Sequence, residues 1–478
     1  MRPEQDHREG LCEIDGIACY RVPDIDRMPP FLVTVVSPSE HWLYVSSNGG
    51  LSAGRVNSGH CLFPYRTDDL LHQVHAFSGP WTGIRVGDLV WEPFTARTTP
   101  GVTRDLARSV SGDRIVFEER NPTMGLTVRA WWSFSDASGF VRTVTLERDS
   151  TGPQRLDVEV LDGFRDLVAG GAELGVMQSM SCLVNAYTRT ELVDGSSLAT
   201  VAMESALVDR AEPAESLRAT TVWSTGLPGS TISLDADAID AFTRGDAVEP
   251  TSMLRGRAAA YLLNARVTLG PSETSTWSVV ADVHRSQAEV AGLRHRLAGD
   301  EDLGASLERE IAESTRAIDA ILVDTDGIQR TGDPILDAHH RTNTLFNDMR
   351  GGVFTDGVNL PWGDWADFCR DRNADVALRH RGWLEGRDAA SIIDRRTLVE
   401  EAAAFEDPSL ERIAWEYLPV WFGRRHGDPS RPWNAFNIRV KHADGSRRLT
   451  YEGNWRDIFQ NWEALTFSNP GWIDHVIA

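Results

Sequence analysis

The stretch Leu126-Thr-Val-Arg-Ala-Trp-Trp-Ser-Phe134 carries an apolar residue at every second position. A period of two is typical of a strand with one buried face. Similar stretches lie on both sides of it, separated by turn residues such as Gly, Pro, Asn, Asp and Ser. They include Phe31-Leu-Val-Thr-Val-Val36, Trp42-Leu-Tyr-Val45, Phe140-Val-Arg-Thr-Val-Thr-Leu146 and Leu156-Asp-Val-Glu-Val-Leu161. A long series of strands without alternating helices predicts a large antiparallel β-sandwich over residues 1–283.

The period changes near His284. Helical spacing of apolar residues then recurs in two runs, Val290, Leu293, Leu297 and Leu307, Ile311, Ile318, Leu322. Asp333 and Pro334 next provide an N-cap and a first helical residue. These patterns predict a helical linker over residues 284–330 and a helical domain over residues 331–478. The predicted fold class is therefore α+β and multidomain.

Composition excludes several classes of partner. The 478 residues carry a net charge of −22, which disfavours nucleic acid and anionic membranes. The N-terminus lacks an apolar signal segment, and no apolar run approaches the length of a membrane span. The five cysteines are Cys12, Cys19, Cys61, Cys182 and Cys369. Their odd number and scattered positions predict reduced thiols in a cytoplasmic protein.

Known cofactor and metal motifs are missing from the sequence. It contains no G-x-G-x-x-G after a strand, no Walker A pattern, no G-x-S-x-G and no H-E-x-x-H. The 13 histidines show no spacing typical of metal ligands. We therefore expect neither a bound metal nor an organic cofactor.

A sugar site is predicted in Thr450-Tyr-Glu-Gly-Asn-Trp-Arg-Asp-Ile-Phe-Gln-Asn-Trp-Glu-Ala-Leu465. On a helix Arg456, Gln460 and Glu463 would share one face. Sugars bind where flat aromatic rings meet bidentate polar groups. The candidate substrate-binding residues here are Trp455, Arg456, Asp457, Gln460, Asn461 and Trp462. The alternative is a helix that packs its aromatic rings and pairs Arg456 with Glu452 or Asp457.

A second candidate lies in Gly363-Asp-Trp-Ala-Asp367, where two carboxylates stand beside Trp362 and Trp365. Paired carboxylates suit acid–base chemistry at a glycosidic bond, and the tryptophans could contact the sugar. The alternative is a helix start at which Asp364 is the cap. The candidate catalytic residues of the chain are thus Asp364, Asp367 and Glu463.

The order of sandwich, linker and helical domain resembles that of the cellobiose-phosphorylase group, glycoside hydrolase family 94 and its larger relatives. Three short segments carry the resemblance: Leu161-Asp-Gly-Phe-Arg-Asp-Leu-Val168, Asp333-Pro-Ile-Leu-Asp337 and Arg456-Asp-Ile-Phe-Gln-Asn461. The first resembles a strand-turn of the family's sandwich. The third resembles a signature whose Arg and acids hold the non-reducing sugar. Ile458 and Phe459 replace its small polar pair, and Asn461 replaces its last acid.

The resemblance implies an N-terminal antiparallel β-supersandwich, a helical linker and an incomplete (α/α)6 barrel. It also implies inverting phosphorolysis of a β-glucoside or oligosaccharide, with inorganic phosphate as co-substrate. Because the family's catalytic acid follows the Arg-Asp signature, we expect it beyond Ala478 and expect this chain alone to be inactive. The alternatives are a glycoside hydrolase on the same scaffold and a non-catalytic carbohydrate-binding module. The sequence leaves open a homodimer.

The predicted sugar contact of Arg456 can be tested by Arg456→Lys, which keeps the charge but removes the planar fork. In a chain extended to full length, we expect weaker binding of glucosyl disaccharides, measured by isothermal titration calorimetry. A lower melting temperature with unchanged sugar affinity would instead assign Arg456 to a structural ion pair.

Overall fold

The computed structural model describes residues 10–95, 100–207, 215–299, 301–423, 429–430, 437–449 and 458–478. The chain forms two compact units. Unit 1 comprises Met1–Arg316 with Gly427–Ala435, and unit 2 comprises Ala317–His426 with Phe436–Ala478. A search of the described part of the chain finds no helix with the length and apolarity needed to cross a bilayer.

Strands dominate unit 1. In chain order they are β1 (Gly10–Ile14), β2 (Ile17–Val22), β3 (Leu32–Val35), β4 (His41–Ser46), β5 (Leu51–Arg55), β6 (Gly79–Val86), β7 (Leu89–Trp91), β8 (Thr103–Ser109), β9 (Ile115–Asn121), β10 (Leu126–Ser135), β11 (Gly139–Arg148), β12 (Leu156–Leu167), β13 (Thr188–Leu192), β14 (Ala199–Met203), β15 (Arg218–Thr225), β16 (Thr231–Ser233), β17 (Met253–Arg255), β18 (Ala259–Leu269) and β19 (Thr274–Ser286). Its helices are α1 (Asp68–Val74), α2 (Leu174–Ser179), α3 (Ser181–Tyr187), α4 (Asp237–Arg244), α5 (Gln287–Leu297) and α6 (Leu303–Asp324), the last of which continues into unit 2.

These strands form three antiparallel sheets. The largest has the order β1-β2-β8-β9-β10-β11-β19-β15-β14-β13-β17, and a second has the order β16-β18-β12-β6-β7. Strands β3, β4 and β5 form the third. The prediction of a large antiparallel sheet followed by helices is confirmed.

One buried polar cluster joins the two larger sheets. On β12, Asp162 accepts hydrogen bonds from Arg142 of β11 at 2.7 Å and from Trp277 of β19 at 2.8 Å. Thr82 of β6 donates to the same carboxylate at 2.6 Å and accepts from Arg142 at 2.8 Å. All four side chains are buried. The cluster therefore ties strands of both sheets together at one point in the core.

The Asp162-Gly163 pair lies in the middle of β12, so the predicted strand-turn at this motif is wrong. Both residues pair with β6 on one side and with β18 on the other. A Cβ on Gly163 would come within 1.9 Å of the Tyr261 carbonyl oxygen. Glycine is thus required here by the close approach of β18 rather than by a turn.

The helices after β19 are not a free-standing linker. Helix α5 begins at Gln287, where Ser286 and Glu289 form a capping box. The partly buried Val290 and Leu293 of α5 and the buried Leu307 of α6 pack with residues of the largest sheet in one hydrophobic cluster. The division between the units falls later, between Arg316 and Ala317 within α6.

Unit 2 is mainly helical. Its further helices are α7 (Pro334–Gly351), α8 (Trp362–Arg372), α9 (Ala374–Arg379), α10 (Arg381–Leu384), α11 (Arg395–Ala403), α12 (Pro408–Glu416), α13 (Ile458–Ser468) and α14 (Ile473–Ile477). Short strands β20 (Val353–Phe354), β21 (Asn359–Pro361), β22 (Ile392–Asp394) and β23 (Val420–Trp421) form the pairs β20–β23 and β21–β22. The N-cap role of Asp333 is confirmed, because its carboxylate accepts from the amides of Ile335 and Leu336. Membership of an (α/α)6 barrel stays a prediction.

The contribution of the Asp162 cluster to stability can be measured with the variant Asp162→Asn. The variant leaves the Arg142 guanidinium buried without a counter-charge, which should lower the free energy of unfolding by about 3–5 kcal/mol. Urea denaturation, followed by a spectroscopic signal from unit 1, measures this change in the free energy of unfolding. Asp157→Asn, at the exposed end of the same strand, is the matched control and should change the midpoint little. Equal midpoints for both variants would contradict the proposed role.

Candidate functional site

The best-defined candidate acid in unit 2 is Asp364, in the first turn of α8. The helix begins after Pro361, and no side-chain hydrogen bond caps it, so the alternative in which Asp364 is the cap is wrong. Its carboxylate instead accepts a hydrogen bond from the Tyr417 hydroxyl at 2.6 Å, across 53 residues of sequence. Tyr417 follows the last residue of α12. The side chain of Asp364 is half-buried and so keeps a solvent-facing part.

The surroundings of Asp364 favour its protonated form. Burial raises the pKa of the carboxyl, and the hydrogen bond from Tyr417 lowers it in part. The charge of Asp367 raises the same pKa, His442 lowers it, and the net shift is upward. Burial, with the Asp364 charge, also raises the pKa of Tyr417, so the phenol stays a donor. A carboxyl with a raised pKa and a fixed partner has the properties of a general acid.

The other two candidate acids lie in different surroundings. Asp367 is exposed and forms an ion pair with Arg370, three residues further along α8. Glu463 is exposed on α13. Neither side chain is held in an apolar environment, and the structure brings neither into hydrogen-bond contact with Asp364.

The predicted sugar-stacking tryptophans lie in the hydrophobic core of unit 2. Trp362, Trp365 and Trp462 are 1%, 0% and 8% exposed. The indole of Trp362 donates to the Leu384 carbonyl at 3.0 Å, and that of Trp462 donates to the Gly351 carbonyl at 2.8 Å. The indole N–H of Trp365 is buried without a hydrogen-bond partner. Rings buried to this extent present no face to a sugar. These residues are packing residues here, in line with the alternative of a helix that packs its aromatic rings.

The remaining predicted contacts lie outside the described residues. These are Trp455, Arg456 and Asp457, together with the side chains of Gln460 and Asn461. The aromatic rings that α13 does expose were not predicted as site residues. Phe459 and Phe467 are 71% and 79% exposed and follow the spacing i, i+8, with Glu463 between them. One face of α13 thus carries two aromatic rings and a carboxylate.

A further carboxyl with a raised pKa is Asp348 of α7. Burial raises its pKa to about 8, an effect that the hydrogen bond from Thr325 at 2.8 Å lessens. Its side chain is buried, and Thr325 also bonds to the Ile321 carbonyl within α6. Asp348 is therefore a packing group without access to a substrate.

Unit 1 contains a Ser–His–Asp arrangement that is not catalytic. Ser39 lies 2.7 Å from His41 Nδ1, and Asp282 lies 3.5 Å from His41 Nε2. Arg55 also lies 2.8 Å from Nε2, and because arginine only donates, Nε2 must be the acceptor. The proton then sits on Nδ1 and points at Ser39, so His41 cannot take a proton from the serine. Burial and the charge of Arg55 lower the pKa of His41 to about 4.

No group of three or more His, Cys, Asp or Glu side chains able to hold a metal ion is found within the described ranges. Of the three candidate acids, all of which the structure describes, Asp364 is the one that a long-range hydrogen bond fixes in a half-buried position. Its partner Tyr417 was not predicted, because no local pattern links it to a residue so distant in sequence.

Comparison with known proteins gives no family. No protein-family model matches the sequence, and no curated protein matches it. A bacterial glucoamylase complexed with acarbose aligns with TM-score 0.40 and 9% identity, over 75% of this chain and 52% of its own. A candidate kojibiose phosphorylase from the human microbiome aligns with TM-score 0.35 and 8% identity, over 87% and 52%. A candidate aldose 1-epimerase from Escherichia coli K12 aligns with TM-score 0.28 and 11% identity, over 54% and 99%.

The chain spans about half the length of the glucoamylase and phosphorylase chains that it matches. Each of these three TM-scores lies below 0.5. Fold and activity must therefore be argued from the residues of this chain.

The buried carboxyl of Asp348 predicts a pH dependence of stability. Its folded-state pKa of about 8 exceeds the ordinary value of 3.8, so the folded state binds the extra proton. This stabilisation is complete below about pH 4 and is lost as the pH rises through about 8. Asp348→Asn keeps the shape without the titration. Relative to the wild type, the melting temperature of Asp348→Asn should rise as the pH increases between these two values, because the wild type loses stability there and the variant does not.

Asp367→Asn is the control, since its carboxylate is exposed. A constant difference between Asp348→Asn and the wild type across this pH range would show that the carboxyl is ionised in the folded state.

Proposed function

We propose that this chain belongs to a carbohydrate-active enzyme that cleaves a glycosidic bond by inverting phosphorolysis. The proposal replaces the expectation of a catalytic acid beyond Ala478 with the competing one, in which Asp364 is the general acid and the chain itself turns over substrate. The single observation that carries the proposal is the half-buried Asp364 carboxyl, whose pKa is raised and whose position is fixed by Tyr417. The substrate would be a β-glucoside or an oligosaccharide, and the second substrate inorganic phosphate.

In this mechanism protonated Asp364 gives its proton to the glycosidic oxygen while the bond to the anomeric carbon breaks. A phosphate oxygen attacks that carbon from the opposite face, and the products are a sugar phosphate and the shortened sugar. Tyr417 donates to one carboxyl oxygen of Asp364, which leaves the other oxygen to carry the proton. The hydrogen bond also supports the carboxylate that remains after transfer.

Among the described candidate acids, Asp364 is the one held half-buried by a fixed partner, and this favours phosphorolysis over hydrolysis. Inverting hydrolysis needs a second carboxylate that activates water, usually some 6.5–9.5 Å from the first. Phosphate is already an anion and needs no such base. Asp367 is the nearest carboxylate in sequence, but it is exposed and paired with Arg370 on the same helix. This arrangement supports phosphate as the nucleophile.

The exposed face of α13 favours a second candidate function, a carbohydrate-binding module. Phe459 and Phe467 offer open rings for stacking, with Glu463 as a polar contact between them. Such a surface binds sugar without chemistry. The two functions differ in their dependence on Asp364.

The catalytic role is tested with Asp364→Asn, assayed by release of sugar phosphate from a panel of glucosyl disaccharides with inorganic phosphate. We expect a loss of turnover of about 10²–10⁴-fold, the usual contribution of a general acid. Asp367→Asn, on the same helix, is the control and should retain activity. Sugar binding without turnover in the wild type would favour the module, and turnover independent of phosphate would favour a hydrolase.

The variant Tyr417→Phe tests whether Tyr417 positions the Asp364 acid or only stabilises the fold. The variant removes the hydrogen bond that lowers the pKa of Asp364, so this pKa should rise. The acid would then stay protonated to higher pH, and the alkaline limb of the pH–rate profile should move upward. A merely structural role for Tyr417 would lower stability without moving that limb.

A further inference from the structure

The two cysteines nearest the N-terminus lie opposite each other in a hairpin. Strands β1 and β2 are joined by Asp15 and Gly16, whose φ angles are +50° and +77°. Two positive φ values are typical of a type I′ turn, the tight connection that fixes hairpin register. In this register Cys12 is the direct partner of Cys19.

Both cysteines point to the same face of the hairpin. Residues directly opposite in an antiparallel pair place their side chains on one side of the sheet. Cys19 belongs to the hydrophobic cluster that also contains Ile14 and Trp131, and Cys12 packs against that cluster. Opposed residues have Cα separations of about 4.5 or 5.5 Å. Both values lie within the range of about 4.4–6.8 Å that a disulfide spans.

The geometry points to a redox modification site: we propose that Cys12 and Cys19 form a reversible cross-strand disulfide when the chain meets an oxidant such as glutathione disulfide. Both thiols are free in the structure. The other cysteines that it describes lie elsewhere, with Cys61 and Cys369 buried and Cys182 exposed on α3.

The different exposure of the two thiols sets the order of the steps. Cys12 is partly exposed and meets the oxidant first, while Cys19 is buried. The Cys12 thiolate attacks one sulfur of glutathione disulfide, that disulfide bond breaks, and one glutathione leaves. The Cys19 thiol then loses its proton and attacks the Cys12 sulfur, which expels the second glutathione. Two protein thiols are oxidised to one disulfide, and one glutathione disulfide is reduced to two glutathiones.

The second step should be the slow one. Burial raises the pKa of Cys19 to about 12, and the thiolate rather than the thiol is the nucleophile. The proximity of the two residues offsets the low fraction of Cys19 thiolate, because the strand register already holds Cys19 opposite the mixed disulfide on Cys12. The rate of closure should therefore rise with pH.

The disulfide would link the first two strands at one edge of the largest sheet. Strand β1 is its terminal strand and pairs with β2, which continues the sheet through β8. Terminal strands offer unpaired backbone groups on one side and open more readily than central ones. A covalent link from Cys12 to Cys19 would hold β1 against β2.

The test uses the full chain, incubated with a series of reduced-to-oxidised glutathione ratios, quenched with acid and mapped by mass spectrometry. We expect a peptide cross-linked between Cys12 and Cys19, the loss of two thiols per chain, and reversal by dithiothreitol. Cys182→Ser should behave as the wild type. Cys12→Ser and Cys19→Ser should each abolish the cross-link.

Persistent glutathionylation of Cys12 without closure would overturn the proposal, as would a dominant cross-link involving Cys182. A second measurement guards against misfolded variants. Dibromobimane becomes fluorescent only when it bridges two nearby thiols, and in the unmutated chain it should join Cys12 to Cys19. Failure of the reagent to link them in the native protein, with linkage only after denaturation, would also contradict the inference.

Discussion

The two larger sheets of unit 1 depend on the hydrogen bonds that the buried Asp162 carboxylate accepts. A carboxylate in an apolar core is costly unless charge and hydrogen bonds compensate it. Here Arg142, Thr82 and Trp277 supply three donors from three different strands. Those strands belong to both larger sheets. The cost of burying the Asp162 carboxylate is therefore fully compensated only when the two sheets pack in one register. A shift by one residue would turn Asp162 to the other face of β12 and leave Arg142 without its partner.

The strands of unit 1 were predictable because alternation follows directly from burial of one face. In β10 the pattern from Leu126 to Phe134 marks the buried side. Helical spacing identified α5 and α6 for the same reason. Their packing against the sheet was not predicted, because periodicity reveals an apolar stripe but not the surface that it covers. The resemblance implies a turn at Asp162-Gly163, whereas the close approach of β18 explains the glycine.

The site was less predictable, because tryptophan composition does not separate a core from a sugar platform. Trp362 and Trp462 satisfy their indoles with backbone carbonyls and leave no open face. The exposed rings belong to Phe459 and Phe467, which the sequence gives no reason to prefer. The pairing of Asp364 with Tyr417 needs tertiary structure. The register that pairs Cys12 with Cys19 was not predicted either, since the five cysteines look scattered in the sequence and the hairpin around Asp15-Gly16 is seen in the structure.

Asp364 and Asp348 together show why a raised pKa alone does not identify a catalytic acid. Burial raises the pKa of both carboxyls, so both favour the protonated form. Asp348 is buried, and its partner Thr325 also bonds to the Ile321 carbonyl of α6. The proton of the Asp348 carboxyl therefore cannot reach a substrate. Asp364 is partly open, and its hydrogen bond comes from a phenol that remains a donor after the proton has left. Access and a partner suited to both protonation states therefore distinguish the acid that can act from the one that can only destabilise the fold at high pH.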